Sequence, residues 1–139
     1  AQTKDFISKD EDNINTVSKK KPTADQVKDM LFAWRIVKHI KSNAIVIVKN
    51  LATVGIGAGQ MSRIDSVEIA AKKAKGKQKG AVLASDGFFP FRDNIDFAAK
   101  EGILAVIEPG GSMHDKEIIK AVDENGLVLV FTGARHFKH

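Results

Sequence analysis

The sequence predicts an α/β protein, a three-layer α/β/α sandwich built on a mixed, mostly parallel sheet. Three observations lead there. Helix-like and strand-like segments alternate through the last two thirds of the chain. The strand-like segments, such as AIVIV at 44–48 and ILAVI at 103–107, are near-continuous apolar runs, as strands covered on both faces require. The helix-like segments carry apolar residues at 3.6-residue spacing along one side. At 139 residues the chain suits one domain with one hydrophobic core.

The elements follow in order. Residues 1–22 are polar and without helical period; they read as a linker or arm, with one edge strand near Thr16 to Lys19. Pro22 closes that stretch. Thr23 then suits an N-cap, and Gln26 completes a capping box. The helix it opens is predicted to run to Lys41, with Val27, Met30, Leu31, Trp34, Val37 and Ile40 as its apolar stripe. Ala44 to Val48 is a buried strand, Lys49-Asn50 a turn, and Thr53 to Ile56 its hairpin partner. Ser62 caps a helix that continues to Gly76. A strand follows at Ala81 to Ala84. Asp93 is expected to cap the next helix, which Gly102 closes at the C′ position. A strand at Ile103 to Ile107, a helix at Asp115 to Asp123 and a strand at Leu127 to Phe131 complete the pattern. Strand–helix–strand repeats take right-handed crossovers and lay strands parallel, and the first hairpin adds an antiparallel edge.

Composition narrows the function. Cysteine is absent, which excludes disulfides, thiolate catalysis and cysteine zinc sites and fits a cytoplasmic protein. The four histidines show neither HxxxH nor HxE spacing, so no metal is expected. Net charge is +5 and the pI about 9.5. The lysine clusters at 19–21 and 72–79 are not interleaved with aromatics, so no nucleic-acid interface is expected. Apolar residues are 43% of the chain, yet no apolar run is long enough for a membrane span. The N-terminal residues lack the signature of a secretory signal. They also lack an initiator Met, in keeping with processing or excision from a longer chain.

Ligands of such sheets gather beyond the carboxyl ends of the strands. Four segments follow predicted strands and should meet there: GIGAGQ (55–60), SDGFFPFRD (85–93), EPGGS (108–112) and TGARHFKH (132–139). The glycines at 55, 57 and 59 form GxGxG, a weak dinucleotide signal whose plain alternative is close backbone packing. The loop leads to a helix start at Ser62, where free N–H groups favour anions and Arg63 adds a guanidinium fork. Three Phe around Pro90 fit neither helix nor strand period. Some must pack inward, and one has the option of stacking on a flat heterocycle in a cleft wall. EPGGS has the option of presenting backbone N–H groups as a nest.

The segments LFAWRIVKHIKSNAIVIVKN, TVGIGAGQMSRIDSVEIA, SDGFFPFRDNIDFA, IEPGGSMHDKEII and VFTGARHFKH together resemble the C-terminal end of the bifunctional purine-biosynthesis family. That family joins a 5-aminoimidazole-4-carboxamide ribonucleotide formyltransferase to an IMP cyclohydrolase. The resemblance spans about residues 22–139. It implies a cytidine-deaminase-like fold and assigns residues 23–139 to the second of two tandem copies of it. Asn43 is then expected to be catalytic, hydrogen-bonding the substrate near its amine or the transferring formyl group. Gln60, Arg63, Phe88, Arg135 and Phe137 are expected to bind the ribonucleotide, the arginines its phosphate. Phe88, Pro90, Phe91, Asp93 and Ser112 are expected to line the site of the cosubstrate, 10-formyltetrahydrofolate. By the same resemblance His139, the last residue, is expected to lie beside this site. Gly87 departs from the family, which often has Ala there.

The family's Lys-His pair, in a KH-x-x-P-x-G motif on the first copy, is absent; Lys38-His39 lacks the following Pro and Gly. The chain alone is therefore expected to be inactive and to need the N-terminal remainder of the enzyme, the intact protein being a homodimer. The alternative at this stage is a non-catalytic nucleotide-binding module, or a split subunit completed by another chain.

Overall fold

Four helices and six strands form among residues 14–133, the residues that the computed structural model describes. The strands are β1 (Asn15–Thr16), β2 (Ile45–Lys49), β3 (Ala52–Gly57), β4 (Val82–Ser85), β5 (Ala105–Glu108) and β6 (Val128–Phe131). The helices are α1 (Ala24–Val37), α2 (Arg63–Ala74), α3 (Asp93–Lys100) and α4 (Asp115–Glu124). All six strands join one sheet in the order β1-β6-β5-β4-β2-β3. β4, β5 and β6 pair in parallel; β2 runs against both its neighbours, and β1 runs against β6. Hence β3, β4, β5 and β6 share one direction, and their carboxyl ends share one rim.

Side-chain alternation divides the core in two. Val46, Val48, Val82, Ala84, Ala105, Ile107, Val128 and Val130 face α1, whose Met30, Leu31, Ala33, Trp34 and Val37 cover them. Ile45, Ile47, Leu83, Val106 and Leu129 face the other way, onto Val67, Ala70 and Ala71 of α2, Ile95 and Ala98 of α3, and Ile118, Ala121 and Val122 of α4. Three helices on one face follow from crossovers of a single hand stepping along the sheet in a single direction. These apolar strands are buried on both sides, which is why they read as continuous runs rather than as alternation.

Local chemistry sets the boundaries. Thr23 and Gln26 form the expected capping box, with Gln26 N–H donating to Thr23 Oγ1 at 3.1 Å and Thr23 N–H to Gln26 Oε1 at 3.0 Å. α1 ends at Val37, four residues before the predicted Lys41. The next turn tightens to i→i−3 bonds, His39 to Ile36 and Ile40 to Val37, and Ile40 still packs on the core, so the apolar period outlasts the helix. Beyond β1, the arm stays on the domain: Val17 N–H bonds to Leu129 O and Lys19 N–H to Asp123 of α4.

The glycines of β3 have a packing reason. A Cβ at Gly57 would overlap the Ser66 carbonyl, and one at Gly55 the Ala70 carbonyl. Only hydrogen at these positions lets α2 lie directly on the edge strand.

Candidate functional site at the carboxyl rim

The rim gathers the start of β2, the loop from β3 to α2, and the ends of β4 and β5. Asn43, immediately before β2, lies among them because β2 is antiparallel to β4 and so begins where β4 ends. Its carboxamide is held on both sides. Nδ2 donates to the Gln60 carbonyl at 3.0 Å and to the Met61 carbonyl at 3.2 Å. Oδ1 accepts Arg63 Nη2–H at 2.7 Å. The Asn43 backbone carbonyl accepts the Ser66 hydroxyl, and the Ser42–Asn43 peptide is cis.

Arg63 opens α2 and turns back over the sheet. Its Nη1 pairs with Asp86 and donates to Ser85 Oγ at 3.0 Å. The two charged side chains are only 12% and 13% exposed. Gly87 makes room for this: a Cβ there would stand 2.7 Å from Arg63 Nη2. The departure at position 87 therefore leaves space that the guanidinium occupies. Asp86 also accepts the Ser42 hydroxyl and the Ala44 N–H, the latter at 3.1 Å, and its own N–H bonds to the Ala44 carbonyl at 3.2 Å. The Gln60 side chain bonds locally, Nε2 donating to the Ala58 carbonyl at 3.1 Å.

The three phenylalanines divide. Phe89 is 1% exposed and joins the core under α2 and α3. Phe88 and Phe91 are 45% and 58% exposed. Phe91 lies 5.9 Å from the His114 ring, tilted at 45°. Pro90, between them, is half-buried.

Asp93 does not serve as the expected helix cap. Arg92 occupies the N-cap position and no side chain caps the helix there; Asp93 is the first helical residue and is exposed. The chain is already turning at Phe91, so the helix begins one residue early. The Arg92 N–H bonds to Glu117 Oε2 of α4 at 3.2 Å. Arg92 also clamps α3 to α4 through Asp96 and Glu124. This holds the Asp96 carboxyl below the ordinary carboxylate range, through Arg92 first and Asn125 second.

The EPGGS loop directs its amides inward. Gly110 N–H donates to Glu108 Oε1 at 2.9 Å and Gly111 N–H to Asp115 Oδ2 at 2.8 Å, so these N–H groups do not make an open nest. Ser112 Oγ accepts the His114 N–H at 2.9 Å and so helps to start α4.

Glu108 is fully buried. Burial pushes its carboxyl up to about 8; the Gly110 N–H pulls down, Asp115 pushes up, and the Phe89 N–H and Arg63 pull down. Its Oε2 has no hydrogen-bond partner.

The structure thus joins Asn43, Gln60, Arg63 and the start of the Phe88 segment in one neighbourhood. Pro90, Phe91 and Asp93 lie in the loop after β4 and the first turn of α3, and Ser112 in the loop after β5. Arg135, Phe137 and His139 lie outside the described residues. Sequence reasoning did not single out Asp86 or Glu108. The signal for both was position, since each polar residue sits where an apolar strand run ends on the rim. Among the described residues, no group of three His, Cys, Asp or Glu is placed to hold a metal ion. None of their helices is long and apolar enough to cross a membrane.

This architecture is that of the cytidine-deaminase-like α/β domains. The solved structure of Acinetobacter baumannii RibD, form 2, is similar with a TM-score of 0.51 at 14% identity, over 76% of this chain and 33% of that one, a likeness of fold alone. Residues 1–73 match the family described as the AICARFT/IMPCHase bienzyme. The bifunctional purine biosynthesis protein PurH of Aquifex aeolicus (strain VF5) is 54% identical over 96% of this chain and 28% of its own length. The PurH of Persephonella marina (strain DSM 14350 / EX-H1) is 57% identical over 91% of this chain and 25% of its own length. The chain belongs to the AICARFT/IMPCHase bienzyme family, and it spans about a quarter of the length of the curated relatives it matches.

Proposed function

We propose that this chain supplies part of the active site of a folate-dependent formyltransferase in purine biosynthesis. The reaction moves a formyl group from 10-formyltetrahydrofolate to the amine of 5-aminoimidazole-4-carboxamide ribonucleotide. The observation that carries this reading is the Asn43 carboxamide, locked in place by Arg63 at 2.7 Å on the same rim as the exposed Phe88 ring. A fixed amide on the same rim as an exposed aromatic ring suits a planar heterocycle with polar edges.

The acceptor amine is a poor nucleophile, because the ring and the neighbouring carboxamide withdraw its lone pair. Positioning amine and formyl carbon in attack geometry therefore matters more than activation by any single group. In this reading Asn43 orients the amine and Phe88 packs on the heterocycle. Phe91, Pro90, Asp93 and Ser112 border the pterin side, and Gln60 shapes the loop beneath. The guanidinium of Arg63 already carries Asp86 and Asn43, so the phosphate falls chiefly to Arg135, and Phe137 is a further ribonucleotide contact. The intact protein also carries IMP cyclohydrolase activity and works as a homodimer. Proton removal falls to the Lys-His pair that this sequence lacks, so the chain alone turns nothing over.

The test is calorimetric titration of the 139-residue chain with the carboxamide ribonucleotide, with and without a reduced folate analogue, beside Asn43→Ala and Arg135→Ala. Binding that weakens at least tenfold in both variants supports the reading. Equal binding by all three chains, or formylation by the isolated chain at the rate of a full-length relative, overturns it.

A further inference from the structure

Asp86 has no assigned role in the reading above, yet it is the hub of the rim. Four groups from two segments, α2 and the residues just before β2, converge on it. One oxygen takes Arg63 of α2 and the N–H of Ala44, the residue before β2; the other takes the Ser42 hydroxyl. Its backbone N–H extends the pairing of β4 with β2 through the Ala44 carbonyl. Asp86 thus flanks Asn43 on the chain, gripping residues 42 and 44. It also grips Asn43 through space, because Arg63 bridges from Asp86 to Asn43 Oδ1.

We propose that Asp86 is a positioning residue that fixes the orientation of the Asn43 carboxamide and keeps Arg63 from acting as an open anion site. The valences of Asn43 support this. Both Nδ2 hydrogens are spent on the Gln60 and Met61 carbonyls, and one Oδ1 lone pair is spent on Arg63. One oxygen lone pair remains. Asn43 so held accepts a hydrogen bond from a ligand and does not donate one. Its partner is an N–H, such as the amine of the acceptor, rather than the formyl oxygen. If Arg63 were released, the carboxamide would lose the donor that holds its oxygen side and would be held through its Nδ2 bonds alone, so its orientation would loosen. The inference rests on the proposed reaction for its catalytic consequence, but not for its structural one.

The experiment therefore has two arms. The first follows the side-chain NH₂ of Asn43 in the ¹⁵N-labelled 139-residue chain. We expect slow hydrogen exchange in the wild type, at least tenfold faster exchange in Asp86→Asn, partial recovery in Asp86→Glu, and unchanged protection of the α2 backbone amides. Titration with inorganic phosphate should show tighter binding by Asp86→Asn, and Arg63→Ala in that background should abolish the gain. The second arm places Asp86→Asn in a full-length bifunctional enzyme carrying this segment. We expect kcat for formyl transfer to fall about 100-fold, KM for the ribonucleotide to change little, and cyclohydrolase turnover to stay constant as a control for folding. Unchanged Asn43 exchange in Asp86→Asn overturns the proposal whatever the reaction is. Faster Asn43 exchange with unchanged kcat overturns its catalytic part. A wild-type full-length enzyme without formyl transfer would refute the proposed function, while the first arm would still decide the role of Asp86.

Discussion

Replacing Glu108 by glutamine should remove a pH dependence of stability that the wild type carries. Glu108 ends β5 with no exposed surface, and its carboxyl is pushed from 4.5 up to about 8, chiefly by burial. Below about pH 4.5 the group is protonated in both folded and unfolded chains and contributes no slope. Between 4.5 and about 8 the unfolded chain ionises while the native one does not, so the native state binds one more proton and stability falls as pH rises. Above about 8 both forms are ionised and the slope ends. At ~1.4 kcal/mol per unit, that window amounts to ~5 kcal/mol, a large part of the stability of a domain this size. The lowered Asp96 acts in the opposite sense but elsewhere: its contribution is present above its unfolded value of 3.8 and is lost only as pH falls further. In Glu108→Gln the amide oxygen still accepts the Gly110 N–H and nothing at the position ionises. The assay is urea unfolding of both chains at pH 4.5, 6.5 and 8.5, where subtraction cancels every other titrating group. The variant should gain on the wild type by ~1 kcal/mol or more per pH unit across that window. Parallel stability curves would show that Glu108 ionises in the fold near its ordinary range, and the reasoning from burial would fail.

Other outcomes follow from the packing. Gly57→Ala should destabilise by ~3 kcal/mol or more in urea unfolding, since its Cβ meets the Ser66 backbone rather than a side chain that can move. Phe89→Ala should cost about 3–5 kcal/mol, whereas Phe88→Ala should stay within ~0.5 kcal/mol in stability while weakening ribonucleotide or folate binding in calorimetry. Thr23→Ala should cost about 1 kcal/mol by removing one arm of the capping box, measured by the same unfolding assay.

Much of the fold was legible because it depends on local periodicity. The AIVIV and ILAVI runs, the stripe from Met30 to Val37 and the Thr23/Gln26 box each carry their signal within a few residues. Element ends were less legible. The apolar period runs through Ile40 although the helix stops at Val37, because a side chain can reach the core from a tightened turn as well as from a helix. Asp93 has the chemistry of a cap but not its position. A glutamate on another helix, Glu117, meets the Arg92 N–H, and no feature near residue 93 encodes that contact. The EPGGS amides looked available for an anion until Glu108 and Asp115 were found bonded to them.

Residue order, hydrophobic spacing and the long shared motifs were enough to establish the family, the layer architecture and the placement of GIGAGQ, SDGFFPFRD and EPGGS at strand ends. They were enough because backbone hydrogen bonding and apolar burial follow short repeating patterns. Folding alone decided that Asp86 pairs with Arg63 across 23 positions, that Gly87 leaves space for that guanidinium, and that Glu108 is sealed from water. Charge pairing and desolvation depend on which distant groups the crossovers bring within a few ångströms, and strand order in the sheet sets those distances.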